Sequence, residues 1–297
     1  MTNAEIAKQV TAKIIAQLEA GTAPWVKPWK ADMRFSGQPF NAGSGRAYRG
    51  INVPLLFAPQ YEQSAWLTFK QAKDLGANVR KGEKGSLIVF YKPFKVTDRN
   101  AQPDANGDRA ERTIPLLRTF HVFNIAQIDN VPARLMPQPD TRTEPERHAE
   151  ADKLLAQAQI THGGNRACYA PGPDRITLPK PQDFRDMADY YATALHELTH
   201  WTGHKSRLNR DFSGRFGNEQ YAREELVAEM GAAFLCANVG IAGQLQHANY
   251  IASWLDVLRR DHNAILNAAS HAQKAADYVT QAQAALPIEE NAEAVNE

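Results

Sequence analysis

The stretch Ala192–His204 reads ATALHELTHWTGH and decides how the rest of the chain is interpreted. It contains the motif HELTH, in which Glu197 follows His196 and His200 comes four positions after the first histidine. Side chains four residues apart lie on one face of an α-helix, so both imidazoles can reach one metal ion. Glu197 lies beside them and can accept a proton from water at that metal. The motif predicts a zinc site with hydrolytic chemistry.

The residues around the motif predict the helix that such a site needs. Asp183 is the expected N-cap, and Gly203 is the expected stop at the other end. Between them the chain carries residues of high helix propensity, namely Ala188, Ala192, Ala194 and Leu195. The alternative is a surface helix that carries two histidines by chance.

A catalytic zinc site needs a third protein ligand and an open position for water. Glu224, Glu225 and Glu229 lie on the next strongly helical stretch, and the last two share a helix face. Either Glu225 or Glu229 is a candidate third ligand, while the other orients a ligand histidine. The alternative is a solvated, charged helix face. His204 is a weaker candidate, because the expected helix ends before it.

Other residues are candidates for handling a substrate at this site. Three tyrosines are candidates for stabilising an oxyanion, and the sequence does not distinguish among them: Tyr190, Tyr191 and Tyr221. Short strands are expected at Ala167–Ala170 and Arg175–Leu178, around a turn that contains two prolines. Their edge can align an extended peptide.

Composition places the chain among soluble globular proteins. It has 297 residues, of which 43% are hydrophobic and 23% are charged. No apolar run approaches the ~18 residues of a membrane span, and the N-terminus lacks the apolar region of a signal peptide. Cys168 and Cys236 cannot form a disulfide framework and favour a reducing compartment. We therefore expect a cytoplasmic protein without membrane contacts.

The small net charge of +1 conceals two halves of opposite sign. Residues 1–130 hold 18 Lys and Arg against 11 Asp and Glu, whereas the remainder holds 16 against 22. A basic half favours a polyanionic partner, and the acidic half contains the metal motif.

The pattern of elements predicts an α+β fold with two domains. The first domain, predicted over residues 1–131, begins with an amphipathic helix at 3–20. A short helix is expected to start at Trp66–Phe69 and to stop near Gly76. The strands expected at Leu87–Tyr91 and Thr119–Ile128 should pair with each other. The proline-rich residues 132–145 are the expected linker. A mainly helical domain with a small sheet follows over 146–286. In this domain one helix is expected from about Pro145 to Gln159, one from about Gln220 to Asn238, and two more within 247–283. Residues 287–297 are expected to form a disordered tail.

The basic half has the residue mixture of a single-stranded DNA-binding surface. Residues 21–96 carry 12 Lys and Arg against 4 Asp and Glu, interleaved with aromatic residues. Cations follow the phosphates while aromatic rings stack on unpaired bases. The candidate DNA contacts are Lys27, Trp29, Arg46, Tyr48, Arg49, Lys70, Arg80, Lys81 and Lys84. For any single aromatic residue, the alternative is a place in the core.

Five phrases together resemble the ArdC-type antirestriction proteins and the N-terminal domain of plasmid TraC primases: PWVKPW, GRAYRGIN, WLTFKQAKDLGANVRKGEKG, YYATALHELTHWTGHKSRLNR and YAREELVAEMGAAFL. The resemblance implies an N-terminal single-stranded DNA-binding domain followed by a zincin-like metallopeptidase domain. Such proteins are carried by conjugative plasmids and help to protect incoming DNA from host restriction. On this pattern His196, Glu197 and His200 are the zincin residues, and a glutamate of EELVAE completes the site.

The leading hypothesis is thus a cytoplasmic antirestriction protein that binds single-stranded DNA and hydrolyses a protein substrate, for which a host or restriction-system protein is one candidate. Zn²⁺ is the expected metal, with Mn²⁺ as the alternative. Two other hypotheses remain open. In one, the protein shields DNA and its metal is structural. In the other, the chain is a cytosolic metallopeptidase whose basic half binds a protein.

Overall fold

The structure is a computed structural model, and it describes residues 1–25, 37–97, 102, 110–137, 140–214, 218–242 and 250–280. The helices of this part are α1 (Asn3–Glu19), α2 (Asn52–Phe57), α3 (Phe69–Asp74), α4 (Glu144–Leu155), α5 (Met187–Thr202), α6 (Glu219–Val239), α7 (Ile251–Arg260) and α8 (Ala264–Thr280). The strands are β1 (Phe40–Asn41), β2 (Ala65–Thr68), β3 (Asn78–Val79), β4 (Ser86–Thr97), β5 (Glu111–Asn124), β6 (Ile128–Asp129), β7 (Ile160–His162), β8 (Cys168–Ala170) and β9 (Arg175–Leu178). The predicted mixed α+β class is confirmed.

The N-terminal half is built on a four-stranded sheet with the order β1-β2-β5-β4. The predicted pairing of the two strands is confirmed for residues 87–89, which lie opposite residues 119–121. Tyr91 lies opposite Leu117, so the second strand begins before the predicted start at Thr119. The hairpin is longer than the sequence indicated, because β4 continues to Thr97. The predicted second strand ends earlier than expected, as residues 125–127 form a 3-10 turn.

The expected helix start at Trp66 is wrong. Trp66 and Leu67 belong to β2 and pair with Asn124 and Phe123 of β5. The helix begins only at Phe69, where the Thr68 side chain accepts a hydrogen bond from the backbone of the helix's first turn. Aromatic and β-branched side chains in this stretch favour the sheet, and the sequence alone did not show which neighbour they pair with.

Helix α5 carries the HELTH motif, and its start differs from the prediction. Asp186, not Asp183, is the N-cap, and its carboxylate accepts from Asp189 N at 2.9 Å. Asp183 ends a separate 3-10 turn that begins at Pro181. Gly203 does follow the last helical residue, in a right-handed rather than a left-handed conformation.

The helices that precede and follow α5 agree with the sequence to within a few residues. Helix α4 begins one residue earlier than predicted and ends at Leu155, so residues 144–145 of the expected linker are helical. Helix α6 exceeds its predicted bounds by one residue at each end. The two expected helices within 247–283 are α7 and α8, whereas the predicted tail lies outside the described residues. The exact domain boundaries stay a prediction.

The largest hydrophobic core is continuous between the two halves of the chain. Ile6 and Val10 of α1 belong to the same buried cluster as Leu195 of α5 and Leu258 of α7. Trp25, one of the aromatic residues of the basic half, is 1% exposed in this core. Its ring meets that of Trp254 edge-to-face at 5.4 Å. The N-terminal helix therefore helps to position the helices around the metal motif.

Candidate metal centre

The described residues bring one group of potential metal ligands together, and it consists of His196, His200 and Glu225. The Nε2 atoms of the two histidines lie 3.2 Å apart. The two carboxylate oxygens of Glu225 each lie 3.5 Å from one of these nitrogens. One helix thus supplies both imidazoles, and the neighbouring helix α6 places a carboxylate between them.

These distances fit a divalent metal. Ligands about 2.0–2.1 Å from a tetrahedral Zn²⁺ lie roughly 3.3 Å from one another. The three side chains are also nearly buried, with exposed fractions of 12%, 11% and 7% for His196, His200 and Glu225. Neutral imidazole and carboxylate are donors that suit Zn²⁺, and the carboxylate also suits Mn²⁺. The donor set therefore fits a divalent metal.

The other two glutamates of the acidic segment occupy different places. Glu229 approaches His196 on the Nδ1 side of the ring, where its nearest oxygen lies at 3.9 Å. Glu224 accepts a hydrogen bond from His200 Nδ1 at 3.0 Å. Of the two candidate third ligands, Glu225 is thus the one that faces both Nε2 atoms. His204 lies outside the cluster, where its Nδ1 contacts Ser206.

The carboxylates change the ionisation of the metal-free site. Burial acts to lower the pKa of His200, but hydrogen bonds to Glu224 and Glu225 outweigh it and raise this pKa to about 10. The pKa of His196 is raised in the same way, against burial, by Glu225 and by the charge of Glu229. Burial acts to raise the pKa of Glu225, and the two imidazoles hold it well below its usual range. The imidazoles and the carboxylates thus favour one another's charged forms.

Two cavities meet at the candidate ligands. One of about 320 Å³ is lined by Glu197, both histidines and Glu225, together with Tyr169 of β8. The other, of about 490 Å³, shares His196 and Glu225 with the first. Glu197 is one of the residues that line the first cavity, and 7% of its surface is exposed to solvent. Open access is typical of catalytic rather than structural zinc sites.

The structure separates the three candidate tyrosines. The hydroxyl of Tyr190 pairs with His162, and that of Tyr191 donates to Asp152. Tyr221 alone of the three lines the cavity beside Glu225. Burial raises its pKa, as do hydrogen bonds with Tyr250 and Glu225, so its hydroxyl stays protonated and able to donate.

Sequence reasoning missed three features of the centre: Arg210, the pairing of Glu224 with His200, and Tyr250. Arg210 binds Glu224 through two nitrogens and is 4% exposed. The hydroxyls of Tyr250 and Tyr221 are 3.3 Å apart. Arg210 ends one of the five phrases quoted above but follows no ligand spacing, and Tyr250 lies outside them, so spacing gave no signal for either residue. Glu224 was visible as a member of the acidic segment.

The predicted DNA contacts differ in whether they are available to a ligand. Arg46, Lys70, Lys81 and Lys84 are exposed and make no ion pair within the described part of the chain. Arg80 is occupied, since it bonds Glu83, Asp129 and the backbone oxygen of Ala126. Arg49 pairs with Asp277 of α8. Tyr48 is partly buried, and its hydroxyl accepts from Asn41. Lys27 and Trp29 lie outside the described residues.

Two of the available lysines are neighbours, along the chain, of residues that lie against the ring of Phe123. Phe69, next to Lys70, is 58% exposed, and its ring meets that of Phe123 at 6.3 Å. Gly85, next to Lys84, lies against the same ring, since a Cβ there would be 3.2 Å from Phe123 Cζ. We call this group, Phe69, Lys70, Lys84 and Phe123, the Phe69 surface. Trp66, by contrast, is 1% exposed and belongs to the core.

Comparison with known proteins defines the class of each half. Residues 148–271 match the family model of a zincin-like metallopeptidase. Residues 4–123 match the model of the N-terminal domain of the anti-restriction factor ArdC. The candidate metal centre lies within the first of these two segments.

Solved structures resemble almost the whole chain. The metal-free crystal structure of the antirestriction protein ArdC from plasmid R388 is 41% identical, with a TM-score of 0.74, over 93% of this chain and 96% of that one. Its Mn(II)-bound structure is 39% identical, with a TM-score of 0.72, over 95% and 99% of the two chains. The uncharacterized protein y4eC of Sinorhizobium fredii (strain NBRC 101917 / NGR234) is 42% identical over 94% of this chain and 92% of its own length. The chain belongs to the ArdC family of antirestriction proteins, as its sequence motifs predicted.

Part of a larger protein is also similar. Two DNA primases TraC of Escherichia coli are 43% and 42% identical over 92% and 91% of this chain. The chain spans only 27% and 19% of their lengths, so the likeness concerns one portion of each primase. In the described part of the chain, none of the helices has both the length and the apolar character required to cross a bilayer.

Proposed function

We propose that this protein is a plasmid-type antirestriction factor of the cytoplasm that binds single-stranded DNA with its N-terminal half and hydrolyses a peptide bond with its C-terminal half. The observation that carries the catalytic part is the placement of Glu197 in the wall of an open cavity, beside His196, His200 and Glu225. We propose these last three as the ligands of a divalent metal. Zn²⁺ is the first expectation, and the Mn(II)-bound relative supports Mn²⁺ as the alternative.

A divalent metal at this centre would supply a Lewis acid that polarises a peptide carbonyl and lowers the pKa of water. Glu197 acts as the general base, accepts a proton from the attacking water and passes it to the leaving nitrogen. Tyr221 and Tyr250, whose hydroxyls lie 3.3 Å apart, remain protonated, and one of the pair donates a hydrogen bond to the oxygen on which charge develops. Both tyrosines line the same cavity as Glu197.

An extended peptide has an edge on which to align. Strand β8 is one of the two edge strands of the sheet β7-β9-β8, and Cys168 and Tyr169 of that strand line the cavity. A substrate segment can add to such an edge through backbone hydrogen bonds and pass the general base.

For DNA binding we propose the Phe69 surface, together with Arg46 and Lys81. Exposed Phe69 offers a ring for base stacking, and the exposed residues Lys70 and Lys84 supply charge for phosphates. The similarity to ArdC and to the TraC primases supports a nucleic-acid partner.

The decisive experiment replaces Glu197 with Gln and measures metal content, peptide-bond hydrolysis and protection of transferred DNA from restriction. The amide keeps the shape of the side chain but cannot accept the proton. We expect retained metal and a loss of hydrolysis and protection by at least ~100-fold. Undiminished protection with metal in place would instead favour a DNA-shielding protein with a structural metal. Lack of binding to single-stranded oligonucleotides at modest salt would favour a metallopeptidase with a protein-binding basic half.

A further inference from the structure

A buried carboxylate outside the proposed ligand set lies directly behind His200. Glu224 accepts a hydrogen bond from His200 Nδ1 at 3.0 Å, while Nε2 of the same ring faces Glu225. The side chains of His200 and Glu224 are only 11% and 10% exposed. A ring whose Nδ1 donates to a carboxylate presents Nε2 as the free lone pair, and its rotation about the side chain is restricted.

Glu224 is itself held by Arg210. The guanidinium donates from Nε to one carboxylate oxygen at 2.9 Å and from Nη2 to the other at 2.8 Å. Two parallel bonds of this kind fix the plane of the carboxylate as well as its position. The orientation of the Glu224 oxygens therefore depends on where Arg210 lies.

Arg210 is in turn hydrogen-bonded to the C-terminal end of α5, the helix that carries the HELTH motif. Its Nη2 donates to the backbone oxygen of Thr199 at 2.7 Å, and its Nη1 donates to Thr202 Oγ1 at 2.8 Å. Carbonyls in the last turn of a helix lack a helical donor, and a basic side chain satisfies them. One guanidinium thus links the C-terminal end of α5 to the carboxylate on α6 that holds the His200 ring.

We infer that Glu224 and Arg210 are positioning residues, which set the orientation and ligand strength of His200 and so control metal affinity. The inference rests on the proposed metal centre and adds two residues that are not among its ligands. The hydrogen bonds of Arg210 also join α5 and α6, the two helices that supply the ligands, in one buried network.

A buried ion pair serves stability alone in many proteins, so the test must separate metal affinity from folding. The probes are Zn²⁺ and Mn²⁺, whose affinities for the full-length protein are measured by competition with a chromophoric chelator. E224Q retains the side-chain size but weakens both the hydrogen bond from His200 and the pair with Arg210. Removal of such a partner typically weakens metal binding by about 10–100-fold, and we expect that range.

The matched control is E219Q. Glu219 lies on the same helix and also pairs with an arginine, Arg223, at 2.7 Å, but its side chain is 46% exposed and it does not line the cavity. E219Q should bind both metals as the native protein does, to within about twofold. Should E224Q fail to give native circular dichroism, R210K carries the same test, because lysine keeps the charge but cannot form the two-pronged contact.

A second comparison asks whether Glu224 acts through His200. In an H200A background, E224Q should cause no further reduction of affinity, because the ring that it orients is gone. Native affinity in E224Q and R210K, or an equal reduction from E224Q with and without His200, would overturn the inference while leaving the metal centre intact. A native chain that binds neither metal would overturn the proposed centre, and this inference with it.

Discussion

A Cβ atom at Gly231 would lie 2.4 Å from Cγ2 of Thr199, so α6 meets α5 with its backbone directly against a side chain. Thr199 lies inside the HELTH motif and is fully buried, and its hydroxyl donates to the backbone of Leu195. Carbon atoms in contact normally lie about 3.5–4.0 Å apart. The missing side chain therefore sets the helix separation at which Glu225 reaches the two imidazoles.

Gly231→Ala should lower the free energy of unfolding by ~1–3 kcal/mol, because overpacking forces the helices apart. The same change in an open helix interior stabilises by about 1 kcal/mol, so the sign of the effect is diagnostic. Metal affinity should fall as well, since Glu225 moves with α6. Urea unfolding and chelator competition measure the two effects. Gly163→Ala, where a Cβ would meet nothing within 4 Å, is the control, and a stabilised Gly231→Ala would contradict the close contact.

The two candidate third ligands can be separated by substitution. E225Q should weaken binding of Zn²⁺ by at least ~100-fold, because Glu225 faces both Nε2 atoms at 3.5 Å. E229Q should have a smaller effect of about 10-fold, because Glu229 approaches only the Nδ1 side of His196. Metal competition on both variants gives the comparison. An equal effect in the two, or a larger one in E229Q, would assign the ligand to Glu229.

The motif explains why so much of the centre could be predicted. Positions i and i+4 on a helix share a face whatever the tertiary structure, so His196 and His200 were predictable from spacing alone. Glu225 and Glu229 also share a face, and which of them lies between the imidazoles depends on how α6 packs on α5, where Gly231 meets Thr199. Arg210 comes from an irregular segment after the helix, and its approach depends on contacts that no periodicity encodes.

In the basic half, less could be predicted from the sequence than in the candidate metal centre. Composition indicated a surface for nucleic acid, but it did not show that Trp25 and Trp66 are core residues or that Arg80 is occupied by neighbouring acceptors. A buried and an exposed aromatic residue look alike in sequence when both lie in short elements. Sheet pairing determines which of the two is buried. Trp66 lies in β2 and is buried, whereas Phe69, the first residue of α3, is exposed to solvent.

Substitutions on the Phe69 surface should weaken single-stranded DNA binding in two distinguishable ways. Phe69→Ala should cost ~1–3 kcal/mol with little change in salt dependence, because it removes a stacking partner. Lys70→Glu and Lys84→Glu should each lower the affinity and reduce the slope of log K against log salt, by about 0.7 for each phosphate that the protein no longer neutralises. Fluorescence anisotropy with an oligonucleotide at several salt concentrations measures both quantities.

Two controls show whether the position or merely the charge matters. Lys153→Glu changes an exposed lysine of α4 in the acidic half and should leave the salt slope unchanged. Arg80→Ala should lower stability more than DNA affinity, since its guanidinium already bonds Glu83 and Asp129. Equal effects of Lys70→Glu and Lys153→Glu would mean that the Phe69 surface is not the DNA site.

The ionisation of the centre links metal binding to pH. In the metal-free protein, burial opposes the charged form of His200, but Glu224 and Glu225 raise its pKa to about 10, against about 6.5 for an unfolded chain. A group whose pKa is raised on folding contributes stability that is fully present below pH ~6.5 and is lost as the pH rises through about 10. Metal ligation requires the neutral imidazole and therefore displaces a proton.

The increase in unfolding temperature caused by saturating Zn²⁺ should therefore grow between about pH 6 and pH 8. Over that range, the metal-free protein loses part of the stabilisation from its protonated His200, while metal competes with fewer protons and binds more tightly. Calorimetric titrations at about pH 7 in two buffers of different ionisation enthalpy should show the release of protons on binding. E219Q should behave as the native protein does, whereas E225Q should lose most of the metal-dependent shift. A shift that is the same at both ends of this pH range, with no proton release, would show that the metal does not bind through these histidines.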